Sequence, residues 1–293
     1  MEADKVKLKE IKPVLTGYIS KSQILLKRDA VPDEDAVHDI RVLMKKSRAV
    51  LKLTCPLTDT ELQNKDIHDL KRVGQLMSIL RDTSVHRKTL RDLRKEFPGI
   101  FKSLAGNEKI GKLMQKPEDI SEPDLTMNSE IDEINELINK SGYRIRFYQI
   151  QNIDPVKLMH QLELSFYVVQ NIYLECRNKP IPEKIHQFRK RSKDFLYQLY
   201  FFRPLNPAAV KALEKRLERM TMYLGAYNDL YQLIKSIGYT WSGESADPAM
   251  DELILKIRDK QDESLARVWP VAYKCFCPGK QIVNLLGFKL LVL

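Results

Sequence analysis

Apolar residues along this chain recur three and four apart, and no stretch sustains the alternation of a half-buried strand. The spacing predicts an all-α fold with helices near 4–28, 32–54, 59–96, 102–116, 128–142, 154–177, 181–203, 207–237 and 247–272. Pro32 followed by Asp33, Glu34 and Asp35 marks a helix start, since proline suits a first turn and acids there complement the helix dipole. Pro180 and Pro182 with Glu183 repeat that design. The acid-rich stretch from Pro117 to Asn128, broken by Pro123, reads as a linker. It sets expected boundaries of 1–120 for an N-terminal helical bundle and 121–293 for a C-terminal one. The apolar tail from Ile282 to Leu293, interrupted by Asn284, Gly287 and Lys289, reads as a docking segment.

The two halves repeat one another. V-H-D-I-R-V-L-M-K-K-S-R-A-V-L from Val37 lies over I-H-Q-F-R-K-R-S-K-D-F-L-Y-Q-L from Ile185, so that His38, Arg41 and Lys45 match His186, Arg189 and Lys193. Further on, the segment from Arg72 to Asp82 lies over that from Arg219 to Asp229, with M-S-I-L-R-D from Met77 over L-G-A-Y-N-D from Leu224. The two offsets agree to one residue, which points to an internal duplication.

The repeated residues fall on one helix face. His38, Arg41, Lys45 and Arg48 stand at i, i+3, i+7 and i+10, within an arc of about 80° at ~100° per residue. Ile40, Leu43, Met44 and Leu51 point the opposite way, free to enter a core. In the second copy His186, Arg189 and Lys193 form the stripe, and Phe188, Phe195, Leu199 and Phe202 oppose it. Like charges at these spacings repel, so a partner supplying negative charge is the natural complement. A merely solvated face needs only to be polar; nothing holds it to the order His, Arg, Lys in both copies. Arg72 and Arg219, at equivalent places on the following helix, are candidates for the same surface, with Lys190 a further contributor. Asp82 and Asp229 would repel an anion; they either orient a His or Arg or form structural ion pairs.

Charge supports this. Lys and Arg number 49 against 39 Asp and Glu, a formal net charge of +10. The excess is concentrated: His38 to Pro98 is net +6 and Lys184 to Arg219 is net +7, while the stretch between them from Glu118 to Glu136 has no basic residue. No run approaches the roughly 20 apolar residues of a membrane helix, and the first ten residues lack the apolar core of a signal peptide. A cytoplasmic location away from membranes is expected, with Cys55, Cys176, Cys275 and Cys277 as reduced thiols. Cys275 and Cys277 form a C-x-C pair with no second pair or nearby His, so neither a metal site nor a cofactor is expected.

The segments from His38 and His186, with the later ones ending in Arg81-Asp82 and Asn228-Asp229, resemble the CHAD family of histidine-bearing α-helical domains. The resemblance covers nearly the whole chain. It implies two helical bundles about a pseudo-twofold axis, with basic residues of the central helices lining a groove or pore that binds inorganic polyphosphate. The E-x-E-x-K motif of an attached triphosphate-processing domain is absent, which implies a stand-alone member, located with polyphosphate granules. Leu196 departs from the pattern where an Arg like Arg48 is expected, and Ser78 stands where the second copy has Gly225. Polyphosphate is a directionless chain of anions that Lys and Arg neutralise, while imidazole adds a donor. Two rivals remain at this level. Weak nonspecific nucleic-acid binding needs only cations, yet the first stripe lacks the aromatic platforms of single-strand binders. A phosphohydrolase or phosphotransferase using His38 or His186 would need a nucleophile or metal, and no Walker A loop or acidic cluster on the stripes supplies one.

Overall fold

The computed structural model describes residues 8–27, 32–58, 60–79, 82–114, 125–238 and 247–287. Among them every regular element is helical: α1 (Ile11–Leu26), α2 (Glu34–Thr54), α3 (Thr60–Ile79), α4 (Asp82–Glu96), α5 (Pro98–Ser103), α6 (Glu108–Met114), α7 (Leu125–Ile145), α8 (Pro155–Asn178), α9 (Pro182–Leu199), α10 (Pro207–Ile237), α11 (Pro248–Phe276) and α12 (Ile282–Leu285). No described helix is long and apolar enough to cross a membrane.

Several boundaries differ from the periodicity for local reasons. Helix α1 begins at Ile11 because Pro13 is then in the first turn; a start at residue 4 would put its ring against the Lys9 carbonyl and remove a hydrogen bond. The N-cap of α2 is Asp33, which accepts from Ala36 N at 2.7 Å, so Pro32 precedes the cap instead of opening the helix. Pro182 does open α9. Of the expected helix over 102–116, residues 102 and 103 end α5, and Glu108–Met114 form α6, which starts afresh because Asn107 Oδ1 accepts from Lys109 N and Ile110 N. The expected helix over 59–96 is described as α3 and α4, with residues 80 and 81 outside the described residues. So are residues 115–124 of the acidic linker and 288–293 of the tail.

Packing follows two closed circuits. Helix α1 packs on α2, α2 on α3, α3 on α7, and α7 returns to α1. Helices α8, α9, α10 and α11 close a second circuit in the same way. Helix α7 thus completes the first circuit although it follows the boundary expected at residue 120. The circuits meet where α2 lies against α9 and α8, and one apolar core runs through both. From the first come Ile40, Met44, Leu51, Leu70 and Ile138, each fully buried; from the second come Phe166, Phe188, Phe195 and Phe276. All eight apolar residues assigned to the faces opposite the stripes are buried. A second cluster joins α4–α6 to the far ends of α10 and α11. At the tail, Ile282 and Leu286 are buried, and Asn206 Nδ2 donates to Leu286 O at 2.9 Å.

The first circuit is closed by a buried ion network. Arg144 of α7 donates through Nε to Asp66 at 2.8 Å and through Nη2 to Asp69 at 2.5 Å, both on α3. The Tyr148 hydroxyl also donates to Asp66, whose carboxylate has no solvent contact. Burial, then this hydrogen bond, pushes the Tyr148 phenol far up, so it remains a donor. Removing one partner of such a network leaves a charge buried and uncompensated, at a cost of about 3–5 kcal/mol. Asp66→Ala is therefore expected to lower unfolding free energy by about that amount, read from urea titration, with the lost cooperativity appearing first in α3 and α7 by hydrogen exchange.

Candidate anion-binding site

Helices α2 and α9 touch through their flanks, and their cations interleave there. Gln198 Nε2 of α9 donates to Ala49 O of α2 at 3.0 Å, in the buried part of the contact. Lys52 of α2 reaches Asp194 of α9 at 2.5 Å. Two cation groups flank this contact. In one, Arg48 and Lys52 of α2 meet Lys190 and Arg191 of α9 around Asp194. In the other, Lys46 of α2 meets Arg189 and Lys193 of α9, with Glu218 of α10 nearby.

Burial differs among these side chains. Arg41, Lys45, Arg48, Arg189 and Lys193 are each partly buried, while His38, His186 and Lys190 are exposed. Burial pulls Arg48 below the usual arginine range, with Asp194 opposing. Burial, then Arg189, pulls Lys193 down, with Glu218 opposing and Lys46 adding to the depression. Lys190 is lowered by desolvation, then by Lys52, with Arg48 and Arg191 reinforcing and Asp194 opposing. Among the described residues the buried Nε atoms of Arg48 and Arg189 have no hydrogen-bond acceptor. Each is a desolvated donor, a condition that opposes folding.

The helix following each stripe helps to hold it. Arg41 Nη1 donates to Met77 O of α3 at 3.3 Å. In the second copy the Arg189 guanidinium lies on Gly225 of α10, where a Cβ would stand 3.4 Å from Nε and 3.5 Å from Nη2. Met77 and Leu224 are matched positions, so the two arginines seek neighbouring points on matched helices. Nδ1 of His186 lies 2.8 Å from Asn228 Oδ1. With Nδ1–H donating, Nε2 is the nitrogen left to meet a ligand. The orienting residue seen for His186 is thus Asn228, beside the expected Asp229; Asp229 is partly buried on α10. Arg81 and the side chain of Asp82 lie outside the described residues.

Arg72 departs from expectation. It is exposed and paired twice with Glu133 of α7, Nε to Oε1 at 2.8 Å and Nη2 to Oε2 at 3.1 Å. A bidentate pair already satisfies the fork that would grip an anion, so Arg72 belongs to the α3–α7 seam. Arg219 is exposed on α10. Residues not singled out from sequence also enter the site. Lys52 continues the α2 stripe by one more i+4 step and was legible from spacing alone. Lys46 lies off the stripe and joins only because α9 packs beside it. Its ammonium stands 5.9 Å from the Tyr197 ring and 5.7 Å from that of Tyr18, and Lys193 stands 5.9 Å from Tyr197. Burial, then Tyr200 and Tyr197, raises the Tyr18 phenol to about 12.

Two cavities, of about 410 and 270 Å³, lie elsewhere and include none of the stripe residues. Among the described residues no group of three His, Cys, Asp or Glu side chains is placed to hold a metal ion. The cations are thus arranged as a seam along the α2–α9 contact.

The model of the CHAD domain matches residues 20–126 and 160–237. The chain belongs to the CHAD family. The matched segments hold both stripe helices and the helices that follow them; α11 and nearly all of α7, which close the two circuits, lie outside the match. No curated protein matches the chain.

Two outcomes follow for this CHAD protein. Gly225→Val is expected to evict the Arg189 guanidinium and weaken anion binding, whereas Gly225→Ala only reaches van der Waals contact and binds as wild type; titration with pyrophosphate checks both. The lowered lysines set the pH response. Lys190 and Lys193 lose their protons below the ordinary value of 10.5, so anion affinity falls as pH rises through that lowered range. In the Lys190→Arg, Lys193→Arg double variant the guanidinium charge persists, and affinity is held to higher pH.

Proposed function

We propose that this protein binds inorganic polyphosphate along the α2–α9 seam, with His38, Arg41, Lys45, Arg48, His186, Arg189, Lys190 and Lys193 as its contacts and Arg219 at the margin. One observation carries the reading: the seam gathers cations from two helices, several of them partly buried among one another. Electrostatics opposes their assembly, since burial and then neighbouring cations make Lys190 and Lys193 harder to charge. A polyanion reverses that cost at every position it reaches. Membership of a family in which some members bind polyphosphate supports the same ligand.

The repeat gives the ligand its form. The stretch from His38 to Arg48 covers about 15 Å of helix at ~1.5 Å per residue, and that from His186 to Lys193 about 10 Å. Orthophosphate is too small to engage both stripes, whereas a chain meets them as tethered contacts that reinforce one another. The matched helices and the two circuits fit a duplicated unit. The reading is of a binding protein in the cytoplasm, with granules of polyphosphate as its site of accumulation and catalysis assigned to other proteins.

The test replaces Arg41, Lys45, Arg189 and Lys193 together by Glu. Polyphosphate binding is expected to vanish while helical circular dichroism is kept; tight binding by this variant would sink the site. In the wild type, affinity is expected to rise steeply from triphosphate to chains long enough to span both stripes. It should fall linearly with the logarithm of salt concentration as counterions are released. Excess RNA is expected to compete poorly, and chain length to stay constant on incubation with divalent metals. Equal affinity for RNA would favour a nucleic-acid binder, and shortened chains a phosphohydrolase.

A further inference from the structure

Asp194 is the carboxylate at which the cations of one end of the seam converge. It sits on the stripe helix itself, directly after Lys193, with its side chain 14 % exposed. Lys52 holds it at 2.5 Å across the helix contact, and Arg191 stands 4.0 Å away on its own helix. It also lies close enough to Arg48 and Lys190 to oppose the depression of both. Four cations around one carboxylate leave that end with three positive charges in excess. A carboxylate presents acceptor oxygens much as a phosphate does, so it occupies an acceptor place that a phosphate would otherwise claim on Lys52.

The repeat shows that this acid is not required by the architecture. At the offset of 148 that matches His38 with His186, the position equivalent to 194 is Lys46. There a lysine stands beside Arg189 and Lys193, and the acid nearby, Glu218, comes from α10. The same helix packing therefore carries a cation at one end and a carboxylate at the other. The two ends of the seam are chemically unequal.

We infer that Asp194 is a built-in competitor for the incoming anion, and that it makes the site select long chains over short ones. The inference rests on the polyphosphate reading. A short anion that lands among Arg48, Lys52 and Lys190 must displace a carboxylate tethered to the same place, or bind beside it against repulsion. A long chain is anchored first at Arg189, Lys193 and Lys46, and then presents its remaining phosphates to the guarded end at high effective concentration. Asp194 penalises the short anion fully and the tethered chain only in part. In the unliganded protein it offsets repulsion among the four cations.

The experiment compares tripolyphosphate with chains of about a hundred phosphates on the full-length protein, using Asp194→Asn, which keeps the shape and an acceptor oxygen but removes the charge. Tripolyphosphate affinity is expected to rise roughly tenfold, long-chain affinity by much less, and the ligand-free melting temperature to fall. Unchanged or weaker tripolyphosphate binding by this variant would overturn the inference. A second comparison places the carboxylate at the other end. Lys46→Asp is expected to weaken tripolyphosphate binding more than Lys46→Gln does and to steepen the dependence on chain length; equal behaviour of the two would also overturn it. Failure of the wild type to bind long chains would instead sink the polyphosphate reading itself, so the two failures are distinguishable.

Discussion

The contact between α2 and α9 is the constraint on which the rest depends. Each helix gives its apolar face to a different circuit, so what meets at the contact are the flanks, where the cations are. Two like charges about 8 Å apart repel by roughly 2 kcal/mol at an effective dielectric near 20. A single such pair is tolerable, but a row is not, unless burial elsewhere dominates. Here it does: Ile40, Met44 and Leu51 on one side and Phe188, Phe195 and Leu199 on the other are essentially without solvent contact. Each contributes about 1.5–3 kcal/mol when removed from water. The apolar faces fix the two helices, and the cations are carried into proximity as a consequence. Lys52 with Asp194, and the Gln198 bond to Ala49 O, are the polar contacts that accommodate this geometry.

The stripe and its opposite face were legible because both follow from a single helical period. Helix ends were less so. Pro13 moved the start of α1, and Asn107 started α6 afresh, each through a backbone hydrogen bond that periodicity does not register. The place of α7 was hidden for another reason. Its partner in the first circuit is found through Arg144 with Asp66 and Asp69, which lie 78 and 75 positions before it, and nothing in local pattern announces such a pairing. Arg72 shows the same limit: a matched position named it for the site, but Glu133 of the neighbouring helix claims its guanidinium.

Lys46 and Lys52 mark where the boundary of legibility lies within the site. Lys52 extends the stripe at the established spacing and needed no fold to be found. Lys46 lies about 100° from Lys45 around the helix and has meaning only once α9 brings Lys193 and Tyr197 beside it. Gly225 is similar. In sequence it is a departure from Ser78; in the fold it is the surface on which the Arg189 guanidinium rests. A side chain larger than alanine there would contend with the arginine for the same space.

The inequality of the two ends bears on how a directionless ligand can be read by a repeated structure. A pair of identical cation groups would bind either end of a chain alike and would hold a short anion in each. Replacing a lysine by a carboxylate at one matched position breaks that equivalence without disturbing the packing, because both residues lie on the flank and neither is part of the apolar core. A bound chain would then have a preferred place to land, where Arg189 and Lys193 meet Lys46, and a guarded place to reach afterwards. On the proposed reading, order of engagement would arise from the charge difference between Lys46 and Asp194 at matched positions. On that reading, short anions would be held at one end only, and length would become the property that the seam measures.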